Sequence, residues 1–521
     1  MMGRRMMQWN TITKASILVT ITLLLILPVA VNSMRLELVH RHHERFAGGG
    51  GDVDRVEAVK GFVKRDKLRR QRMNQRWGVV SNYDSRRKGF EMTTTPAEVE
   101  MPMHSGRDDA LGEYFAEVKV GSPGQRFWLV VDTGSEFTWL NCVMQNATTT
   151  TTTRKNKTKK KQQQHHHHVH KHHSKRNNRT RTRRTRKKKV KSSKSNKSDP
   201  CKGVFCPHKS KSFEAVTCAS RKCKVDLSEL FSLSVCPKPS DPCLYDISYA
   251  DGSSAKGFFG TDSITVGLTN GKQGKLNNLT IGCTKSMLNG VNFNEETGGI
   301  LGLGFAKDSF IDKAANKYGA KFSYCLVDHL SHRSVSSNLT IGGHHNAKLL
   351  GEIRRTELIL FPPFYGVNVV GISIGGQMLK IPPQVWDFNA EGGTLIDSGT
   401  TLTSLLLPAY EAVFEALTKS LTKVKRVTGE DFDALEFCFD AEGFDDSVVP
   451  RLVFHFAGGA RFEPPVKSYI IDVAPLVKCI GIVPIDGIGG ASVIGNIMQQ
   501  NHLWEFDLST NTVGFAPSTC T

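Results

Sequence analysis

The sequence lacks acidic residues over one long stretch, and its charge is balanced elsewhere. Between Arg154 and Lys197 there is no aspartate or glutamate, whereas 20 lysines and arginines lie there. Without those 20, the chain of 521 residues has 49 basic and 49 acidic residues, so its formal net charge of +20 comes from this stretch alone. Because a nucleic-acid-binding fold carries basic charge on its own surface, and no recognition motif is present, we expect no nucleic-acid partner.

The same stretch has few apolar residues. Residues 146–200 consist mainly of Thr, Lys, Arg, His and Gln, and such a segment cannot bury enough apolar surface to fold. We therefore predict a disordered basic insert. Seven of the 18 histidines lie between His165 and His173 and could bind a metal loosely. A solvated loop is the simpler interpretation, and we expect no metal or cofactor.

The N-terminal apolar run is too short for a membrane span, which needs about 20 residues. It extends over fifteen residues from Ile17 to Val31, follows several basic residues and ends at the small residues Asn32 and Ser33. This pattern predicts a signal peptide over residues 1–33 and no stable membrane anchor. A chloroplast transit peptide fits less well, because such peptides are amphipathic and rich in serine. We expect the secretory pathway, extracellular or vacuolar, with the chloroplast as the alternative.

Twelve cysteines, an even number, indicate an oxidising compartment and up to six disulfides. Two pairs, Cys201 with Cys206 and Cys218 with Cys223, have a spacing that a zinc site can use. No paired His-x3-His spacing follows them, so disulfides are the preferred interpretation. Sequons that could be glycosylated on the secretory route stand at Asn146, Asn156, Asn178, Asn196, Asn278 and Asn338.

The segment before the globular part is charged. Residues 34–106 are short of strand patterns and contain helix-compatible sequence from Val56 to Gln75. We interpret this segment as a prosegment whose arginines and lysines could pair with active-site carboxylates until acidification. A disordered tail is the alternative.

The rest of the chain predicts a mostly β protein. Alternating apolar residues and a Gly/Pro turn predict a hairpin from Tyr114 to Val131, and further strand patterns follow. Helices are predicted at Phe310 to Tyr318 and at Pro408 to Leu421. A pause in the strand pattern from Ser337 to Leu350 indicates a boundary between two halves.

One motif occurs twice, 265 positions apart. The copies are Asp132-Thr133-Gly134-Ser135 and Asp397-Ser398-Gly399-Thr400. Each follows apolar residues and has Asp, a small hydroxyl residue, Gly and a second hydroxyl residue. One such turn arises readily by chance, because Asp and Gly are both favoured in turns. Two copies with matched flanks suggest a duplicated unit whose carboxylates face each other.

A pair of facing carboxylates has a defined chemistry. Both cannot ionise cheaply in one site, so one keeps a proton while the other stays charged. The charged carboxylate can deprotonate a water while the protonated one hydrogen-bonds the carbonyl of a peptide, without a metal or covalent nucleophile. The Gly after each Asp allows close backbone approach, and Ser135 and Thr400 are placed to orient the carboxylates. We predict Asp132 and Asp397 as catalytic residues, supported by Thr133, Gly134, Ser135, Ser398, Gly399 and Thr400.

With these motifs, the sequence resembles the pepsin-type aspartic proteases, and among them the nepenthesin-like group of plants. The resemblance spans about Glu113 to Cys520, without the basic insert. Each Asp turn has the apolar-apolar-Gly companion of that family, Ile300-Leu301-Gly302 and Val493-Ile494-Gly495. Tyr249, in the sequence Tyr249-Ala250-Asp251-Gly252-Ser253, matches the flap tyrosine, and Trp139 matches its tryptophan partner. The resemblance implies Tyr249, Gly252 and Trp139 as flap and substrate-binding residues.

The resemblance implies a mostly β, bilobal pepsin-like fold with an active-site cleft between the lobes. The implied organisation is a signal peptide (1–33), a prosegment (34–106), an N-terminal lobe (107–345, with the insert at 146–200) and a C-terminal lobe (346–521). It also implies a monomeric, acid-active endopeptidase that is made as a zymogen and cleaves peptides or proteins without a cofactor. The alternative is an inactive pepsin-fold binding or inhibitor protein, although such proteins usually alter an Asp turn and both are intact here.

The resemblance further implies disulfide pairs. Those it suggests are Cys218–Cys243, Cys223–Cys236, Cys325–Cys520 and Cys438–Cys479. Cys142, Cys201, Cys206 and Cys283 would form the other two pairs, and the insert leaves their partners open.

Overall fold

The computed structural model of the chain describes residues 34–35, the helical positions 56, 59–61, 63–64, 66–67, 69–70 and 73, then 99–105, 114–143, 201–228, 233–234, 236–248, 254–268, 271–288, 297–331, 335–342, 347–390, 392–429, 435–485 and 490–520. Within these residues, no helix is long and apolar enough to cross a membrane. The predicted signal peptide, most of the predicted prosegment, nearly all of the basic insert, and Tyr249 and Gly252 lie outside them.

The strands outnumber the helices in the described chain. The strands of the first half are β1 (Met34–Arg35), β2 (Val99–Ser105), β3 (Tyr114–Val120), β4 (Gln125–Asp132), β5 (Thr138–Asn141), β6 (Glu214–Ala215), β7 (Leu244–Ser248), β8 (Ser254–Gly267), β9 (Gln273–Leu288), β10 (Thr297–Gly302), β11 (Lys321–Cys325) and β12 (Ser337–Ile341). Those of the second half are β13 (Arg354–Phe361), β14 (Phe364–Val367), β15 (Val369–Ile374), β16 (Gln377–Met378), β17 (Thr394–Ile396), β18 (Thr403–Leu406), β19 (Arg426–Val427), β20 (Cys438–Asp440), β21 (Leu452–Phe456), β22 (Arg461–Phe462), β23 (Ile470–Ala474), β24 (Val477–Ile480), β25 (Ile482–Ile485), β26 (Ser492–Ile494), β27 (His502–Asp507) and β28 (Thr512–Pro517).

The described α-helices are α1 (Phe310–Tyr318), α2 (Leu407–Ser420) and α3 (Asn496–Gln499). Short 3-10 turns lie at Pro207–Lys209, Pro383–Trp386, Asp446–Val448, Ala457–Gly459 and Val466–Ser468, and a π-helical turn lies at Lys222–Leu227. The helical positions between 56 and 73 are called the N-terminal helix below.

Local sequence accounts for the first hairpin and the first helix. β3 and β4 pair antiparallel, with Phe115 opposite Val130, because their alternating residues bury one face. α1 begins after Ser309, whose hydroxyl accepts the backbone N–H of Asp312 at 3.1 Å, and ends before Gly319, whose φ is 115°. Both elements lie where the sequence predicts them.

Each lobe places its Asp turn by the same strand arrangement. In the N-terminal lobe, β4 runs parallel to β10, which pairs antiparallel with β5 on its other side. In the C-terminal lobe, β17 runs parallel to β26, which pairs antiparallel with β18. The turn therefore connects two strands that are separated by a third. The predicted companions are in register with it, since Gly302 lies opposite Asp132 and Ile494 lies opposite Ile396.

A sheet shared by both halves joins the lobes. β2, β12, β11, β27, β28 and β13 lie side by side in that order, and every neighbouring pair is antiparallel. Phe322 and Phe506 stack on this sheet with ring centroids 4.6 Å apart. Buried Glu505 pairs with Arg355 at 2.7 Å and with Lys321 at 3.4 Å. The fold is mostly β and bilobal, as predicted.

Two strands, β2 and β12, lie in stretches where the sequence pattern predicted few strands or a pause. β12 falls within the predicted pause, because Leu339 and Ile341 alternate with polar residues and are buried against β11. The run is only five residues long and ends at Gly342, so turn residues obscured it. β2 lies in the segment expected to be short of strands, and it pairs with β12. The predicted pause from Ser337 to Leu350 was therefore wrong at its start, whereas the described part of residues 34–106 has only the short strands β1 and β2.

The fold continues across the segment that carries the basic insert. The backbone N–H of Val143 donates to the carbonyl of Phe205 at 2.9 Å, and the N–H of Phe205 donates to the carbonyl of Asn141 at 2.7 Å. The two ends of the intervening segment therefore lie side by side on the N-terminal lobe. The long charged sequence does not separate the elements that flank it.

All twelve cysteines form disulfides. The pairs are Cys142–Cys283, Cys201–Cys206, Cys218–Cys236, Cys223–Cys243, Cys325–Cys520 and Cys438–Cys479. Two implied pairs are confirmed, but the implied pairs Cys218–Cys243 and Cys223–Cys236 are wrong. The π-helical turn carries Cys223 into the core beside buried Cys243, while Cys218 pairs with the exposed Cys236. The cysteines of both zinc-like spacings are thus oxidised and do not offer thiolates to a metal.

Candidate active site

The structure brings the two Asp turns together at the junction of the lobes. The side chains of Asp132 and Asp397 are buried, with 0% and 1% of their surface exposed. Each carboxylate accepts one hydrogen bond from the Gly N–H and one from the second hydroxyl of its own turn. The distances are 2.8 Å from Gly134 N and 2.6 Å from Ser135 Oγ for Asp132, and 3.0 Å from Gly399 N and 2.5 Å from Thr400 Oγ1 for Asp397.

The first hydroxyl of each turn links it to the other turn. The N–H of Ser398 donates to Thr133 Oγ1 at 2.9 Å, and the N–H of Thr133 donates to Ser398 Oγ at 3.1 Å. Ser398 Oγ also donates to the carbonyl of Val131 at 2.8 Å. These reciprocal bonds fix the turns relative to each other. The four hydroxyl residues therefore divide into two that orient carboxylates and two that join the lobes.

The glycines of the motif allow the carboxylates to approach each other. A Cβ atom on Gly399 would lie 2.4 Å from Asp132 Oδ1, and a Cβ atom on Gly134 would lie 3.0 Å from Asp397 Oδ1. Each carboxylate thus lies against the glycine of the opposite turn. Any side chain at Gly399 would displace Asp132, so the close approach requires glycine there.

A single arginine of the N-terminal helix lies between the two carboxylates. Arg69 donates from Nε to Asp397 Oδ2 at 2.6 Å and from Nη1 to Asp132 Oδ2 at 2.6 Å. Its Nη2 donates to Asp397 Oδ1 at 3.0 Å and also to Asp132 Oδ1. The Arg69 side chain is 17% exposed. One guanidinium therefore uses three nitrogens to engage all four carboxylate oxygens, which is the bidentate geometry that arginine favours.

The electrostatics follow from this contact. Burial alone would raise the pKa of Asp132, but the Arg69 charge, together with hydrogen bonds from Arg69, Ser135 and Gly134, lowers that pKa below its usual value. Burial alone would lower the pKa of Arg69, but Asp132 and Asp397 raise it well above its usual value. The guanidinium compensates the negative charge of the buried pair.

Sequence comparisons agree with this geometry. The family model described as "Xylanase inhibitor N-terminal" matches residues 114–201 and 190–343, and the model "Xylanase inhibitor C-terminal" matches residues 364–517. Aspartyl protease family protein 2 of Arabidopsis thaliana is 29% identical over 484 residues, which are 90% of this chain and 84% of that one. Aspartic proteinase nepenthesin-1 of Nepenthes gracilis is 27% identical over 500 residues, or 94% of each chain. The chain belongs to the plant nepenthesin-like, xylanase-inhibitor-type family.

Solved structures with the same fold support the architecture of this nepenthesin-like chain. Basic 7S globulin from soybean has a TM-score of 0.55 and 18% identity, and the match covers 82% of this chain and 98% of the globulin. The structure titled edgp has a TM-score of 0.58 and 18% identity, and covers 82% and 97%. At such identities these neighbours establish the fold alone, and their titles do not name a protease.

The predicted flap residues are described in part. Trp139 lies on β5 and packs edge-on against Tyr245, with ring centroids 5.2 Å apart, and against Phe259 at 5.7 Å. Tyr249 and Gly252 lie outside the described residues. Their substrate-binding role, like the catalytic role of the Asp turns, stays a prediction.

The N-terminal helix contacts the C-terminal lobe of the nepenthesin-like chain along one face. Val59 packs in the apolar cluster of Leu402 and Ile497, and Met73 packs in a separate cluster with Leu395 and Val493. Between them, Asp66 and Arg70 make polar contacts with backbone and side-chain groups near the second Asp turn. The spacing of seven, four and three residues places all four on one helical face.

Sequence reasoning missed several residues of the site. It expected basic residues of the N-terminal segment at the carboxylates, but nothing distinguished Arg69 from its neighbours. It also missed Gln499, whose buried Nε2 donates to the carbonyls of Asp397 at 3.1 Å and Ile494 at 2.7 Å. A polar side chain four residues after the glycine of the second apolar-Gly companion, Gly495, was the available signal for Gln499. For Arg69, a search for the helical face that carries Val59, Asp66 and Met73 would have reduced the number of candidate basic residues in the N-terminal segment.

Proposed function

We propose that this chain is an aspartic endopeptidase that acts on peptide or protein substrates at acid pH. Asp132 and Asp397 would share one proton, the ionised carboxylate would activate a water, and the protonated one would hydrogen-bond the scissile carbonyl. The observation that carries this proposal is the symmetric pair of buried carboxylates, each oriented by a hydroxyl and a Gly N–H and placed against the opposite turn. The named protease relatives support it.

The proposal includes synthesis as a zymogen, with residues 34–106 as the prosegment. Arg69 occupies the space between the carboxylates where water and substrate would have to bind. While Arg69 is there, neither oxygen pair is free to activate a water. The pKa of Asp132 is lowered, so the ion pair persists above the ordinary pKa of an aspartate and is lost as the pH falls through the lowered value. Acidification below about pH 4 is therefore the expected trigger for release.

The proposal also covers the route and the form of the protein. Six disulfides and the exposed sequon at Asn278 are consistent with the secretory pathway. The proposed mature protein is a monomer from which the signal peptide has been removed. The chloroplast is the alternative destination, since residues 319–329 and 497–507 resemble the plant aspartic proteinase NANA. Glycosylation of Asn278 and imaging of a C-terminally tagged chain would test both points.

The test of the activity compares matched aspartate variants. Full-length chain, acidified below about pH 4 to remove the prosegment and assayed at about pH 3–5, is expected to cleave a denatured protein at large apolar residues, and pepstatin should block it. Asp132→Asn and Asp397→Asn should each lower the rate by at least about 1,000-fold. Asp308→Asn is the control, because Asp308 pairs with Lys222 and Lys313 and not with Arg69. Undiminished activity in the Asp132→Asn, Asp397→Asn double variant would refute the mechanism.

A second function has one observation in its favour. Both matched family models are described as xylanase inhibitor halves, so an inactive pepsin-fold binding or inhibitor protein is the competing candidate. In that case the processed chain would cleave nothing at any pH between 2 and 7, and the two Asp→Asn substitutions would leave binding of a glycosidase unchanged. Both Asp turns are intact and supported by their hydroxyls, which favours the endopeptidase.

A further inference from the structure

A buried glutamine of the C-terminal lobe holds the main chain of Asp397 on both sides. The Gln499 side chain is 0% exposed, and its Nε2 donates to the carbonyl of Asp397 at 3.1 Å and to the carbonyl of Ile494 at 2.7 Å. That Ile494 carbonyl also accepts the N–H of Asp397 at 3.2 Å. One carboxamide therefore clamps Asp397 through the carbonyl of that residue and through the acceptor of its N–H group.

The sheet shared by both lobes fixes the orientation of this carboxamide. Gln499 Oε1 accepts from the hydroxyl of Tyr324 at 2.5 Å. Tyr324 lies on β11, is 0% exposed and packs against Phe506 with ring centroids 5.5 Å apart. Burial raises the pKa of Tyr324 well above its ordinary value, so its hydroxyl stays protonated and donates. Because the two carbonyls need donors and the hydroxyl supplies one, a single orientation of the Gln499 amide satisfies all three contacts.

The peptide group that follows Asp397 carries the contact to the first Asp turn. Its carbonyl, that of Asp397, accepts from Gln499, and its N–H, that of Ser398, donates to Thr133 Oγ1 at 2.9 Å. A peptide group that accepts a hydrogen bond at its oxygen donates more strongly through its N–H. Tyr324, Gln499 and this peptide group thus form a continuous chain of hydrogen bonds from the shared sheet to Thr133.

The corresponding carbonyl of the first turn is held by the main chain instead. The carbonyl of Asp132 accepts the backbone N–H of Leu303 at 2.8 Å. A side-chain substitution leaves that contact in place, whereas replacing Gln499 removes the donor to Asp397. The second half of the site can therefore be loosened without changing a residue of either Asp turn.

We propose that Gln499, oriented by Tyr324, is a positioning residue that sets the distance and angle of the Asp397 carboxylate relative to Asp132. The inference rests on the proposed endopeptidase function, in which Gln499 touches neither water nor substrate. Catalysis by an oriented group falls steeply when the group is misplaced, so loss of this clamp should lower kcat and leave KM nearly unchanged. Two carboxylates that lie farther apart also repel each other less, so their two apparent pKa values should move closer together. The pH range of activity should therefore become narrower.

The kinetics of two variants test this role. Gln499→Met keeps an unbranched side chain without the carboxamide, and Tyr324→Phe removes only the hydroxyl that orients it. Tyr469→Phe is the matched control, since Tyr469 is also buried and its hydroxyl donates to the carbonyl of Pro450 at 3.0 Å. Full-length chain is processed below about pH 4 and assayed from about pH 2 to about pH 7, with active sites counted by pepstatin titration.

We expect kcat per active site to fall by about 10- to 100-fold in Gln499→Met and by about 3- to 10-fold in Tyr324→Phe. In both, KM should stay within about twofold and the pH range should narrow by at least about 0.5 unit. Tyr469→Phe should match the natural chain in all three quantities. An unchanged kcat, or a lower kcat with an unchanged pH range, would overturn the positioning role. Tyr324→Phe keeps its ring in the core and carries the test if Gln499→Met does not fold.

Hydrogen exchange separates this inference from the proposed function. Amide exchange of the full-length chain is followed at about pH 7 in fragments that cover residues 396–402, the second Asp turn, and residues 452–456, which form β21. Both variants should exchange at least about threefold faster than the natural chain at 396–402 and at the natural rate at 452–456. That result in a chain that cleaves no peptide would retain the positioning role and reject the endopeptidase. Natural rates at 396–402 in both variants would overturn the positioning role, whether or not the chain cleaves peptides.

Discussion

Arg69→Ala is the substitution that tests the proposed inhibitory contact most directly. It removes a guanidinium that contacts both carboxylates and leaves Asp132 and Asp397 facing each other without a counter-charge. Apolar contacts of the N-terminal helix through Val59 and Met73 are unchanged. The substitution therefore weakens the electrostatic part of the docking and retains the apolar part.

The expected magnitude follows from the burial of the two carboxylates. Removing one partner of a buried ion pair usually costs about 3–5 kcal/mol, because the remaining charge is left uncompensated. Here the loss is limited, since the free pair can take up one proton. Two carboxylates that share a site favour one bound proton, and taking up that proton at pH 7 costs about 3 kcal/mol. We expect helix docking to lose about 3 kcal/mol at pH 7, which is about a 100-fold increase in the open population.

The effect of Arg69→Ala on helix opening should decrease as the pH falls. In the natural chain, the lowered pKa of Asp132 keeps the Arg69 contact intact at pH 7 and at pH 5, and the contact is lost only below about pH 4. In Arg69→Ala, the proton that the carboxylate pair takes up costs less free energy as the pH falls from 7 to 5. The difference between variant and natural chain should therefore fall from about 100-fold at pH 7 to a few-fold at pH 5.

Native-state proteolysis measures this difference. Thermolysin added to the full-length chain cuts the N-terminal helix in proportion to its open population when closing is fast. Lys67→Ala is the matched control, because Lys67 is an exposed basic residue two positions away on the same helix. Arg69→Lys should lie between the two, since a lysine retains the charge but cannot engage four oxygens. The reasoning would be refuted if Arg69→Ala opened no faster than Lys67→Ala, or if the ratio at pH 5 equalled that at pH 7.

Two further predictions concern the support of the carboxylates. Thr133→Val and Ser398→Ala each leave a buried N–H without its hydroxyl partner and should lower stability by about 1–3 kcal/mol. Their double variant should deviate from additivity by at least about 0.5 kcal/mol in thermal or urea unfolding, and strict additivity would contradict the reciprocal link. Gly399→Ala places a Cβ atom 2.4 Å from Asp132 Oδ1 and should abolish proteolysis, whereas Gly351→Ala, with no atom nearer than 3.6 Å, should not. A fully active Gly399→Ala enzyme would show that the carboxylates are not closely apposed.

The sequence predicted the parts of the fold that depend on local patterns. The hairpin of β3 and β4 and the helix α1 follow from alternation, turn residues and a serine cap, all of which lie within a few residues of one another. The register of the apolar-Gly companions also follows, because each repeats the same motif beside an Asp turn. β12 was missed for the opposite reason: its five residues are too few to establish an alternation before the turn at Gly342.

Contacts between distant segments could not be predicted in the same way. Cys218 pairs with Cys236 and not with Cys243, because the π-helical turn carries Cys223 into the core beside Cys243. Spacing alone permits both arrangements. Arg69 lies 63 positions before Asp132 and 328 before Asp397, so its role depends on how the whole helix docks. Composition identified a basic segment, but only packing identified the residue.

The polar contacts of the N-terminal helix each pair a charged side chain with groups of complementary charge or hydrogen-bonding type. Arg69 presents positive charge to the two carboxylates, and Asp66, one turn earlier, presents negative charge to two main-chain N–H donors. The helix thus supplies donors to the carboxylate pair and an acceptor to the N–H groups beside it, while Val59 and Met73 supply apolar anchors. A protonated carboxylate pair no longer favours a guanidinium. Acid would therefore weaken the Arg69 contact, and the helix would be released under the conditions in which a carboxylate dyad holds the single proton that the proposed catalysis requires.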